Sequence, residues 1–135
     1  MGPPPQTVEV NHDSSVGEAR RAARTMAADL GFRPEACEEI AIAVTELATN
    51  LIKHAGGGTI TLAPLSEGGR VGLEIVVSDQ GPGIPDVEQA LREGYTTGGG
   101  LGLGLPGAKR LMDEMIVQSE VGKGTIVRIR KWRRG

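Results

Sequence analysis

Apolar residues recur along this chain with two periods, and each change of period marks an element. Thr7-Val8-Glu9-Val10 alternates and predicts a short edge strand. The spacing then becomes helical: Val16, Ala19, Ala22, Ala23, Met26, Ala27 and Leu30 form one stripe, with Ser14 or Ser15 as the expected cap and Gly31 as the stop. Ile40, Val44, Leu47 and Leu51, beside small Ala36, Ala41 and Ala48, predict a second helix from about Pro34 to Ala55. Pro34 suits a first helical turn, Glu35 complements the dipole there, and Gly56 to Gly58 end the helix. Alternation returns at Thr59 to Leu65 and at Val71 to Ser78, a hairpin turning through Ser66 to Arg70. A short helix (Val87 to Arg92), a helix from Pro106 to about Met115, and strands at Ile116 to Ser119 and Thr125 to Arg130 complete the pattern. Helices alternating with hairpins predict a two-layer α/β sandwich with a mixed, mainly antiparallel sheet.

Composition narrows this picture. At 135 residues the chain suits one domain, with residues 1–6 as a flexible lead-in. Phe32, Tyr95 and Trp132 are the only aromatic residues, so the core must be aliphatic. Fifteen basic residues against 17 acidic ones argue against broad electrostatic binding of nucleic acid. The basic tail Arg128, Arg130, Lys131, Arg133 and Arg134 lacks interleaved aromatics and is expected to be a solvated edge or a partner contact. Cys37 is alone, which excludes an internal disulfide and a cysteine zinc cluster. The first residues do not resemble a signal peptide and no apolar run approaches membrane-spanning length, so a cytoplasmic location without membrane association is expected.

Three stretches carry candidate chemistry. At about 100° per residue, Glu46, Asn50 and Lys53 project together from the second helix, with His54 at the edge. Asp79-Gln80-Gly81-Pro82-Gly83 follows a strand; Gly81 and Gly83 permit a tight bend, and an ionised Asp79 accepts hydrogen bonds only, as from an exocyclic amino group. Gly98-Gly99-Gly100-Leu101-Gly102-Leu103-Gly104 leads into Pro106 and a helix start, which suits a backbone cradle for phosphate, while its leucines favour anchoring in the core. Gly102 to Gly107 also satisfies G-x-G-x-x-G, but no strand precedes it, so the dinucleotide reading fails. No G-x-x-x-x-G-K-[ST], H-R-D or D-F-G occurs, and neither His12 nor His54 has a nucleophile-elbow serine.

In order, Glu46 to Ala55, Asp79 to Gly83 and Gly98 to Gly104 resemble the asparagine box and the two glycine boxes of the GHKL ATPase superfamily. Glu46-Leu47-Ala48, Asp79 to Asp86, Gly98 to Gly102 and Leu105 to Glu114 are similar to the RsbT-type serine/threonine switch kinases of bacterial stressosomes. The resemblance implies a Bergerat fold using ATP and Mg²⁺. It implies that Asn50 coordinates Mg²⁺ and that Asp79 receives the adenine amino group, with Gly81 and Gly83 nearby and Thr125 in support. It further implies that Gly98, Gly99, Gly100, Leu101, Gly102, Leu103 and Gly104 wrap the phosphates and that Glu46 is the general base. Lys53 departs from those relatives, where this position is not reliably basic. The implied partners are STAS-domain proteins, as substrates and antagonists, and a PPM-type phosphatase. An anti-sigma factor of RsbW type, which binds a sigma factor, is the alternative.

Overall fold

Residues 2–81 and 105–134 are described by a computed structural model of the chain. Five strands form one sheet in the order β1-β2-β3-β5-β4, with every neighbouring pair antiparallel: β1 (Gln6–Val10), β2 (Gly58–Glu67), β3 (Arg70–Asp79), β4 (Glu114–Glu120) and β5 (Gly124–Trp132). Alternate residues Val8, Val10, Ile60, Leu62, Leu73, Ile75, Val77, Val127 and Ile129 turn to one face and are buried. Helices α1 (Asp13–Asp29), α2 (Pro34–Ala55) and α3 (Leu105–Leu111) cover that face. The opposite face carries Glu74, Arg128 and Arg130 and stays open, as one-sided antiparallel sheets do. The two-layer α/β expectation is borne out.

The α1–α2 contact follows from small residues. Ala19, Ala23 and Ala27 of α1 are fully buried, as are Ala43 and Ala48 of α2, so the two backbones can approach closely. Ile40, Val44, Leu47 and Leu51 fill the space beneath, each contributing about 1.5–3 kcal/mol through burial. An Arg24–Glu38 pair with contacts of 2.7 and 3.2 Å ties the helices outside the core. Gly56, in the left-handed region at φ 75°, ends α2, and the Gly57 N–H returns to the Leu51 carbonyl at 2.8 Å. This stop leaves Asn50 in the penultimate turn of the helix.

Several expectations need correction. Ser14 and Ser15 lie inside the first turn of α1; His12 is the N-cap residue and makes no side-chain cap bond. The β2–β3 hairpin turns on Gly68-Gly69 alone, because φ of 55° and 81° gives the twist that a two-residue turn requires. Helix α3 stops at Leu111, and Met115 instead pairs with Ile129 in the sheet. Here strand pairing overrides the helical spacing of Leu111, Met112 and Met115. The expected helix Val87 to Arg92 lies outside the described residues.

The basic tail is an ion-paired edge: Arg133 and Arg134 are exposed, yet each of its basic residues has a partner. Arg130 Nε lies 2.8 Å from Glu74 Oε2, and Arg128 Nη1 lies 3.6 Å from the same oxygen. Lys131 Nζ donates to the Leu111 carbonyl at 2.6 Å and lies 3.4 Å from Glu39, which binds β5 to α3 and α2. Arg133 donates to the Leu30 carbonyl at 3.0 Å, and Arg134 pairs with Asp113 at 2.7 Å. The Glu74 carboxylate beside Arg130 pushes that guanidinium further above its usual range, against a smaller opposing effect of burial.

Candidate functional site

Four element ends meet at one edge of the molecule. The β3–β5 ladder sets Asp79 opposite Thr125, and the β4–β5 ladder sets Ser119 opposite Thr125. All three lie on the helix-covered face by alternation from Val77, Val127 and Val117. The last turn of α2 reaches them: a Cβ added to Gly58 would lie 2.8 Å from Leu51 Cδ2 and 3.3 Å from Asp79 Cβ. A Cβ on Gly81 would lie 2.7 Å from Ala55 Cβ, so the backbone after Asp79 can pass the helix end only as glycine. The chain thereby brings Leu51, Ala55, Asp79, Gly81 and Thr125 into one neighbourhood, with Asn50 next to Leu51 on α2.

Each side chain there has a distinct state. Asp79 Oδ1 accepts the Gly81 N–H at 2.8 Å, a tight local turn that fixes the carboxylate and leaves its second oxygen for another donor. Thr125 is 8% exposed, and its Oγ1 lies 2.8 Å from Ser119 Oγ. The Asn50 Nδ2 is buried with no hydrogen-bond partner, the only such side-chain atom among the described residues. An orphaned buried amide N–H costs roughly 1–3 kcal/mol, a cost that an incoming acceptor would remove.

Glu46 stands one helical turn before Asn50 on α2 and is exposed. It makes no ion pair with Lys53, itself exposed in the last turn, so its carboxylate is free to meet another molecule. A cavity of about 300 Å³ opens at the strand ends. Asp79, Ser119 and Thr125 line it from one face of the sheet, and Ser78, Gln118 and Ile126 from the other.

Among the described residues no three His, Cys, Asp or Glu side chains group to hold a metal. A cation here would need a ligand that supplies most of its oxygens. Asn50 suits that case, since its amide offers one carbonyl oxygen to a cation and an N–H to a neighbouring anion. Gly83, Gly98, Gly99, Gly100, Leu101, Gly102, Leu103 and Gly104, expected around the base and phosphates, lie outside the described residues. Ser119 is the site residue that motif reading missed. Its signal was present in the hairpin, because Ser119 and Thr125 form the pair next to the closing pair Glu120–Gly124.

Comparison with known proteins shows the family of the chain. Residues 10–131 match the family described as histidine kinase-like ATPase domain. The chain is 42% identical over 127 residues to the serine/threonine-protein kinase RsbT of Bacillus subtilis, covering 94% of this chain and 96% of that protein. It is 37% identical over 120 residues to an anti-sigma F factor of Geobacillus stearothermophilus, covering 84% of this chain and 81% of that one. Among solved structures, the catalytic domain of the histidine kinase ThkA superposes with a TM-score of 0.57 at 18% identity, covering 95% and 96% of the two chains. The SiaB–SiaC complex of Pseudomonas aeruginosa superposes at 0.58 with 13% identity, covering 94% and 89%. Both establish likeness of fold.

Proposed function

The chain belongs to the histidine kinase-like ATPase domain family and within it to the RsbT-type serine/threonine kinases, and from that membership we propose that it transfers the γ-phosphoryl group of ATP to a protein hydroxyl. The observation that carries this reading is the 42% identity to a serine/threonine-protein kinase over 94% of the chain. The exposed carboxylate beside a buried, unpartnered amide supports it.

In this mechanism Asp79, held by the Gly81 N–H, accepts the exocyclic amino group of adenine through its remaining oxygen. Thr125 adds a hydroxyl beside it. Asn50 would hold Mg²⁺ through its carbonyl oxygen and offer its unpaired N–H to a phosphate oxygen. When bound, Mg²⁺ neutralises phosphate charge, which together with positioning is most of what phosphoryl transfer needs. The glycines from Gly98 to Gly104 wrap the phosphates through backbone N–H groups. Glu46 accepts the proton of the attacking hydroxyl, and its exposure matters because the acceptor sits on another protein.

The acceptors are STAS-domain proteins that also sequester the kinase, and release from them frees it to activate a PPM-type phosphatase. Incubation with Mg-ATP and a STAS-domain protein should yield phosphoserine or phosphothreonine on that protein. Absence of both products overturns the kinase reading. The 35–37% identity to anti-sigma F factors favours a second reading, capture of a sigma factor. Affinity purification from the native host separates the two, since one recovers STAS proteins and a phosphatase and the other a sigma factor.

A further inference from the structure

Ser119 is the penultimate residue of β4 and lies opposite Thr125, in the neighbourhood assigned above to the adenine base, and the proposed mechanism gives it no role. Its hydroxyl donates to the Gly124 carbonyl at 3.1 Å and lies 2.8 Å from the Thr125 hydroxyl. A carbonyl oxygen can only accept, and a serine hydroxyl holds a single proton. The 2.8 Å contact admits either hydroxyl as donor, and the arrangement that also keeps the Gly124 bond has Thr125 donating. In that arrangement the Thr125 proton points at Ser119, and its oxygen presents lone pairs to whatever approaches. Asp79, its partner across the ladder, is a carboxylate and also only accepts. The pair offers two acceptors and no donor.

We infer that Ser119 is a positioning residue that sets base specificity: by holding the Thr125 hydroxyl as an acceptor, it makes the site take a purine with an amino group at C6 and reject one with a carbonyl there. An adenine amino group carries two N–H bonds, one for each acceptor. Guanine or hypoxanthine would set an oxygen against two oxygens and leave all of them unpaired. A site built around such hydrogen bonds discriminates steeply, far more than one that senses only size. This inference rests on the nucleotide-site reading above and deepens it.

Direct binding on the full chain, without any transfer assay, tests it. The unmodified protein should rank ATP above purine riboside triphosphate, which has only hydrogen at C6, and that above inosine triphosphate, which has a carbonyl. Equal binding of the last two overturns the inference and needs no variant to fold. In Ser119→Ala the Thr125 hydroxyl is free to rotate and donate, so the preference for ATP over GTP should fall about tenfold or more through tighter GTP binding. ATP affinity should hold within about twofold. Ser119→Thr, which keeps the hydroxyl, should retain the unmodified preference. An unchanged ratio in Ser119→Ala, or a proportional loss of both nucleotides, also overturns it. Phosphotransfer could fail while the ranking held, which would remove the kinase reading alone; no binding of any nucleotide would remove both.

Discussion

Strands β3 and β5 run side by side, and their two ends use polar groups in opposite ways. At the Gly72–Trp132 end the groups satisfy one another. Asp113 accepts the Trp132 N–H and the Arg134 guanidinium, both at 2.7 Å. Trp132 Nε1 donates to Glu114 at 2.7 Å, and Arg70 lies 4.0 Å over the indole ring. At the Asp79–Thr125 end, Asp79 uses one oxygen locally, and on α2, whose last turn reaches this end, Asn50 Nδ2 is buried without a partner. Satisfied polar networks rigidify a fold, whereas a buried donor without a partner costs stability until something pairs with it. One ladder thus anchors the molecule at one end and, on the function proposed above, binds nucleotide at the other. Substitutions should separate in the same way, changing chemistry at the open end and stability at the closed end.

The largest separation is expected at Glu46. Glu46→Gln keeps the side chain's shape, removes the proton acceptor, and changes an exposed position that supports no packing. Transfer to a protein substrate should fall by roughly 10²–10⁴-fold, while nucleotide affinity and thermal midpoint stay close to wild type. Normal transfer by this variant would show that another group is the base.

A second test asks whether openness extends to the backbone. Gly124 has φ 99°, and a Cβ there would run into the Asp79 carbonyl; Gly122, two residues earlier at φ 83°, has nothing within 4 Å. Gly122→Ala should cost about 1–2 kcal/mol from the left-handed backbone alone. Gly124→Ala should lose a further roughly 1–3 kcal/mol from the collision and weaken ATP binding by displacing Asp79 from Thr125. Equal losses in denaturant melts of the two variants would mean that the open end is soft in its main chain. Unequal losses place its freedom in the side chains.

These ends were not equally legible. Helix α2 and the position of Glu46 and Asn50 on it follow from the stripe Ile40, Val44, Leu47 and Leu51, because burial and helical period agree there. Motif order identified Asp79 and Thr125 as site residues, but only the register of β3 on β5 makes them partners. The closed end was misread for the same reason. Arg130 in isolation is a tail charge; opposite Glu74 in a ladder it is half of an ion pair. Asp113 and Met115 sat within a continued helical pattern until pairing of β4 with β5 drew Met115 into the sheet and left Asp113 just before it, its N–H on the Arg130 carbonyl. Local period is written in neighbours a few residues apart, whereas register depends on residues such as Glu74 and Arg130, 56 positions apart.

The smallest expected effect tests the closed end alone. In Asp113→Asn an amide N–H₂ must face either the Trp132 N–H or the Arg134 guanidinium, and one of those donors loses its acceptor. Stability at neutral pH should fall by about 1–3 kcal/mol, with ATP affinity unchanged. Acidification gives the sign of the effect. Burial pushes the Asp113 carboxyl up, but the Trp132 N–H, Arg134 and Lys131 together outweigh it and hold the group below its ordinary value of 3.8. The unfolded chain therefore takes up this proton first as pH falls. The stabilisation is complete above the unfolded value and disappears as pH drops through the lower folded one. Urea melts of wild type and Asp113→Asn should differ by a constant amount from neutral pH down to roughly pH 5 and then converge below about pH 4. A gap that stayed constant to pH 2 would mean that Asp113 acts through shape and not charge. A gap accompanied by weakened nucleotide binding would mean that the two ends of the ladder are coupled.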